Sequence, residues 1–233
     1  MLRQAKRNAS HAEQRNKDDI MDIAKTKRRE NIAEYILYLW QLEDLLRALQ
    51  FSPEAVHSQL IAPRDLSQPE QRLYLEWYMD IADLLRQEGK ERQGHLDHTL
   101  HLIADLNNLH NQLMVLPVGA EYRRLYARVA PELPALKAKL KDPEISDVEL
   151  FFRALYSVVL LRIQEAGKHG DAGKGCGTNP QAAADKDTDV SATPDSIADS
   201  GKSRQKYIDD VLTLISPVVA ELATVFRKVE RGE

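Results

Sequence analysis

The sequence predicts an all-α protein, an antiparallel bundle of five to six helices, and three observations carry that prediction. Apolar residues recur at three-and-four spacing over several long stretches, the pattern of helices with one buried face. Serine and glutamate stand in capping-box order ahead of two of those stretches, as Ser67 with Glu70 and Ser146 with Glu149. No segment of useful length alternates with the period of a strand, and no Gly-rich phosphate loop occurs.

Taken in order, the first helix is expected from about Asp19 to Gln50, with Ile32, Tyr35, Ile36, Leu39, Leu42 and Leu46 on one face. Ser52 and Pro53 then open a short connecting helix that Pro63 ends. From Pro69 the second main helix runs through Leu73, Trp77, Ile81 and Leu84 to a terminating Gly89. The third starts between Arg92 and His95 and carries Leu96, Leu100, Ile103, Leu106 and Leu113 to Pro117, with Gly119 marking a turn. Between Ala120 and Lys141 the apolar stripe passes Pro131 and Pro134, which predicts a kinked or broken helix. The apolar stretch from Val148 to Gly167 reads as the central helix, and a last helix begins near Ser203.

The domain reading follows from where this pattern stops: a basic tail over 1–18, the bundle over 19–166, a low-complexity insertion over 167–202, and a C-terminal helix over 203–233 that docks back on the bundle. Gly, Ala, Asp, Lys, Ser and Thr dominate the insertion, and such a segment cannot offset its own ordering entropy, so disorder is expected there.

Composition bounds the function classes. Apolar residues make up 43% and charged residues 29% of the 233, the balance of an ordinary globular chain. No apolar run approaches the roughly 18 residues of a membrane span, and the first residues lack the apolar stretch of a secretory signal, so the expected location is the cytoplasm. The single cysteine, Cys176, excludes an intramolecular disulfide and any multi-cysteine zinc site. A net charge of −4 does not argue for nucleic acid, and the basic first thirty residues carry no interleaved aromatics for stacking bases.

Two segments, ENIAEYILYLWQLEDLLRA from Glu30 to Ala48 and FFRALYSVVLLRIQ from Phe151 to Gln164, resemble a family of uncharacterised all-helical proteins of Bacteroides-type bacteria. The likeness extends over about Ile20 to Ala166 and is weaker over the last helix. The basic tail and the insertion depart from the family pattern and read as local additions. Since the family is a domain of unknown function, the resemblance implies a compact helical fold in the cytoplasm and supplies no catalytic residues.

Two interior charges could carry chemistry. A helical wheel places Glu43 in the middle of the first helix's apolar arc, and Arg162 in the arc of the central helix beside Leu155, Val158 and Val159. Either charge is costly to bury alone, so the two are expected to meet, as an ion pair that fixes helix register or as part of a polar ligand pocket with Tyr35 and Trp40. In a simpler alternative Arg162 snorkels near its helix end while Glu43 pairs with Arg47. His98, His101 and Asp105 share one helix face at ligand spacing and form a candidate metal set, although that face is the polar one, and the buried arc carries His95 and His110 instead.

No His-Glu-x-x-His run or Gly-x-Ser-x-Gly elbow occurs, and the sequence calls for no cofactor. The leading expectation is therefore a non-enzymatic helical interaction or scaffolding protein whose partner is another protein or a second copy in a homodimer. The alternative is a small-molecule-binding or metal-dependent enzyme with its site in the bundle interior.

Overall fold

The computed structural model describes residues 28–140, 142–169 and 200–232. The basic tail over 1–18 lies wholly outside the described residues, as do residues 170–199 of the insertion expected over 167–202, whose first three residues instead continue one helix and whose last three open the next. The protein is all-α, with no strand among the described residues. Its helices are α1 (Ile32–Ala48), α2 (Pro53–Val56), α3 (Gln68–Gln87), α4 (Asp97–Val115), α5 (Ala120–Val129), α6 (Leu133–Leu140), α7 (Asp147–His169), α8 (Ser200–Asp210) and α9 (Ser216–Arg231).

Most boundaries have a local cause. Asn31 leaves helical backbone at φ −153°, and its Oδ1 accepts from the N–H groups of Ala33 and Glu34 at 3.1 and 3.3 Å, so α1 starts afresh at Ile32. Ser52 Oγ caps α2 by accepting from Ala55 N at 3.2 Å. The Glu70 carboxylate reaches back to the N–H and hydroxyl of Ser67 at 2.8 and 2.6 Å, closing the capping box at the start of α3. Ser146 Oγ accepts from Glu149 N at 3.2 Å ahead of α7.

The prolines break what their apolar stripes would continue. Pro131 falls in a 3-10 turn, Ala130–Glu132, and the expected single kinked helix is resolved into α5 and α6. Pro217 has no N–H for the carbonyl of Thr213, and the turn before it widens into the π-helical Val211–Ile215, closed by Ser216 N donating to Val211 O. A second π turn, His57–Ile61, follows α2.

The chain divides into two compact units, Met1–Leu100 and His101–Glu233, a division that falls within α4. In the first unit α1 packs on α3, burying Ile36, Trp40 and Leu46 from one helix and Tyr78, Ile81 and Leu85 from the other. Tyr38 and Trp77 stack across this contact with ring centroids 6.3 Å apart.

In the second unit α5 packs on α9, α7 touches α6 and α9, and the Val211–Ile215 turn lies against α5 and α7. Phe151, Phe152, Tyr122, Val218 and Leu222 are fully enclosed in this core. Two polar groups lie in and beside it. The Tyr122 hydroxyl and His110 Nδ1 share a hydrogen bond of 2.6 Å, Tyr126 donates to Asp147 Oδ2 at 2.5 Å, and Lys137 Nζ lies 2.8 Å from Asp147 Oδ1. Burial pushes His110 below its ordinary value against a smaller opposing pull from Asp147. Burial works to raise the Asp147 carboxyl, but Lys137 and Tyr126 outweigh it and hold the group below the ordinary range.

His110 sets a pH dependence. Unfolded, its imidazole titrates near 6.5, and folded it titrates lower. Below that unfolded value the unfolded chain binds the extra proton, so the stability present at neutral pH is lost as pH falls through the folded pKa. Denaturant midpoints measured from about pH 7 down to about pH 5 should decline in the wild type, and His110→Gln should flatten part of that decline.

Candidate functional site

Glu43 is fully buried in the first unit, and both carboxylate oxygens are used. Oε1 accepts from Leu96 N at 3.2 Å, and Oε2 accepts from His95 Nδ1 at 2.8 Å. Arg47, one turn on, brings Nη2 to 3.9 Å from the same oxygen. Its guanidinium also donates to Lys90 O at 3.1 Å from Nε and from Nη2, to Gly94 O at 2.5 Å, and to Asp44 Oδ1 at 2.7 Å. Together Glu43 and Arg47 grip the segment that joins α3 to α4 at four backbone or side-chain points along it. A carboxylate taking N–H groups at the mouth of α4 also sits at the favourable end of the helix dipole. Glu88 adds a second one, accepting from Asp97 N at 2.8 Å.

Aromatic groups complete the cluster. Trp40 lies flat on the His95 ring, centroids 3.8 Å apart and 8° from parallel. Its Nε1 donates to Thr99 Oγ1 at 3.1 Å, and that hydroxyl donates to Leu96 O at 2.8 Å. Tyr35 places its hydroxyl 3.2 Å from His98 Nε2. Tyr35, Trp40 and Glu43 are therefore gathered at one place, around the first turn of α4.

Two expectations are corrected. Arg162 is exposed, because burial along α7 stops at Val158: Val159, Leu160 and Leu161 are half-buried, and Arg162 and Ile163 stand beyond the buried face. The carboxylate of Glu43 is answered by His95, Leu96 and Arg47 in place of Arg162. The metal set does not assemble either. His98 faces Tyr35, His101 and Asp105 are exposed, and no group of three or more His, Cys, Asp or Glu side chains among the described residues is placed to hold an ion.

A feature that the apolar spacing did not single out lies in the second unit, where α4 meets α5. Val115, Leu116 and Val118 stand exposed at 79%, 45% and 74% around the 3-10 turn Pro117–Gly119. The turn that carries them is tightly held. Arg123 Nη1 reaches back from α5 and donates to Leu113 O and Leu116 O, both at 2.6 Å; the first is a carbonyl that the end of α4 leaves open, and the second also accepts from Gly119 N at 3.0 Å. Gly119 packs so near that a Cβ there would come within 1.9 Å of Leu113 O.

At the far end of α5 a groove opens on the same unit. Val129, Leu136, Val211, Leu214 and Ile215 form its apolar floor, and Glu132, Lys206 and Asp210 stand on its rim. Tyr207 lines it as well, with its hydroxyl 2.9 Å from Ser157 Oγ.

The domain family described as "Domain of unknown function (DUF4924)" matches residues 21–175. The chain belongs to this family. The match takes in α1 to α7, hence both the Glu43 cluster and the apolar corner, and leaves α8 and α9 outside it. No curated protein and no solved structure matches the chain. No helix among the described residues of this DUF4924 protein is long and apolar enough to cross a membrane.

The geometry of the Glu43 cluster is that of an anchor. Glu43→Leu would take the acceptor from the buried N–H of Leu96 and from the half-buried imidazole of His95, at an expected cost of roughly 1–3 kcal/mol in urea unfolding. Glu43→Gln, which keeps an acceptor oxygen, should cost less, and both should raise amide exchange first in the segment between α3 and α4. An unchanged midpoint and unchanged exchange in Glu43→Leu would remove the anchoring role. At the corner, Gly119→Ala forces Leu113 and α5 apart and should destabilise by roughly 1–3 kcal/mol in the same assay.

Proposed function

We propose that this protein is a non-enzymatic helical interaction or scaffolding protein of the cytoplasm, and that the corner formed by Val115, Leu116 and Val118 is its contact surface. The observation that carries this reading is a pairing of exposure with rigidity. Three large apolar side chains stand in solvent on a turn that Arg123 and Gly119 hold in place. Apolar surface of this kind gains free energy only when something covers it. A turn fixed before the encounter loses little conformational freedom on binding, which is how a small patch gains affinity.

The polar residues favour the same reading. Glu43, His95, Trp40 and Thr99 bond to one another and to the backbone around α4, the use expected of groups that position a segment.

A photo-crosslinking residue introduced at Val118 of the full chain tests the proposal in the cells that express it. A discrete protein adduct is expected, weakened when Val115 is changed to Asp. If Val118 yields only the background seen from the same residue placed at the exposed Arg72, the corner is not a contact surface.

A further inference from the structure

We propose that His110 and Tyr122 form a proton-operated latch across the corner: one proton taken up at His110 Nδ1 releases the Tyr122 hydroxyl and loosens the turn that presents Val115, Leu116 and Val118. The latch stands on the contact between α4 and α5 alone, and its use as regulation rests on the reading of the corner as a contact surface.

His110 lies on α4 before the corner and Tyr122 on α5 after it, and the 2.6 Å bond between them ties the two helices together inside the core. Tyr122 is 1% exposed, and among the described residues its hydroxyl has no hydrogen-bond partner but His110. A buried hydroxyl with one partner donates to it if it can, because the reverse arrangement leaves the O–H proton unmet. Tyr122 therefore donates to Nδ1, and the neutral ring carries its own proton on Nε2. The atom that must take the next proton is the one the latch occupies. Once protonated, Nδ1 is a donor, and the closed arrangement leaves the Tyr122 O–H proton unmet. Opening the turn lets water meet both groups.

The other groups facing His110 do not undo this. From α5, the Tyr126 ring lies with its centroid 5.1 Å away, and its hydroxyl donates to Asp147. From α7, Asp147 pulls toward the charged ring, but burial outweighs that pull, and Lys137 of α6 is paired with the same carboxylate. On α4 the positions one turn away, Leu106, Asn107, Leu113 and Met114, carry no charge. Arg123, beside Tyr122 in the chain, directs its charge to the carbonyls of Leu113 and Leu116, in the same turn that the latch holds. A solvated imidazole titrates near 6.5 and the closed one lower, so acid favours the open turn, by at most about tenfold per pH unit for one proton.

Ring-nitrogen NMR spectra of the full chain, followed by amide exchange, test the latch between about pH 7.5 and about pH 5. At neutral pH His110 should be the Nε2–H tautomer with Nδ1 as acceptor. As it titrates, protection of the bonded amides of Leu116 and Gly119, corrected for intrinsic exchange, should fall by roughly fivefold or more, while that of Phe151 and Phe152 in the core holds. His110→Gln keeps an acceptor for the hydroxyl and cannot titrate, so its corner should stay closed over the same range. Tyr122→Phe takes the donor from Nδ1, which should raise the His110 pKa and shrink the response.

An Nδ1–H tautomer at neutral pH would overturn the latch, as would protection at Leu116 and Gly119 that stays level while His110 titrates; neither observation needs a variant. The latch also fails if the two amides lose protection in His110→Gln as they do in the wild type. A latch that opens in a chain whose Val118 gives no adduct would remove the regulation and leave the device.

Discussion

An α-helix leaves peptide groups at each end that its own ladder cannot satisfy, and at both ends of α4 side chains from neighbouring elements supply what is missing. At the first end the N–H groups of Leu96 and Asp97 are taken by the carboxylates of Glu43 and Glu88. At the last end the carbonyls of Leu113 and Leu116 are taken by the guanidinium of Arg123. Each answer organises its surroundings. Glu43 fixes the approach of the chain from α3 and gathers His95, Trp40 and Thr99, while Arg123 forces the sharp turn into α5 that lifts Val115, Leu116 and Val118 into solvent. The ionic groups that look most like chemistry in this chain are helix terminators acting across loops.

A buried carboxylate in this role is costly to replace and of limited value as a reactive group. Its two oxygens already accept from a backbone N–H and an imidazole N–H, with an arginine close by. Such a group is satisfied where it stands, and removing one partner from a set of this kind exposes the desolvation cost of the others. That accounts for a carboxylate in the apolar face of α1 without invoking a ligand.

Most of the helices were legible in the sequence because their signals are local: a cap at Ser52, capping boxes at Ser67 and Ser146, and a left-handed Gly89 at φ +67° just past α3. The burial of Glu43 was legible for the same reason, since a wheel reports which face a residue takes. A wheel does not report what lies opposite: it put Arg162 forward as the partner, with Arg47 as the simpler alternative, whereas the carboxylate meets a loop histidine fifty-two positions along and has Arg47 at 3.9 Å. It also assumed that the buried face of α7 continued to the end of the helix, whereas that face runs out at Val158. For His98, His101 and Asp105, spacing placed three ligand-type residues on one face, but the Tyr35 hydroxyl meets His98, and among the described residues no group of three ligand-type side chains is placed to hold an ion.

The corner was hidden by the rule that served best elsewhere. The stripe of α4 that the spacing defines ends at Leu113, and Val115, Leu116 and Val118 lie past it, so the wheel gave them no face. Two residues without unusual hydrophobicity set the turn there. Gly119 allows α5 to approach Leu113 more closely than any side chain would permit, and Arg123 uses that closeness to bridge two carbonyls. The chain turns just past Leu113, and the three apolar side chains beyond it are left exposed. A flexible loop carrying the same three side chains could fold them back against the protein. A turn locked by a backbone contact and two charged hydrogen bonds cannot, and apolar surface held rigid in this way would lose little conformational freedom if a partner covered it.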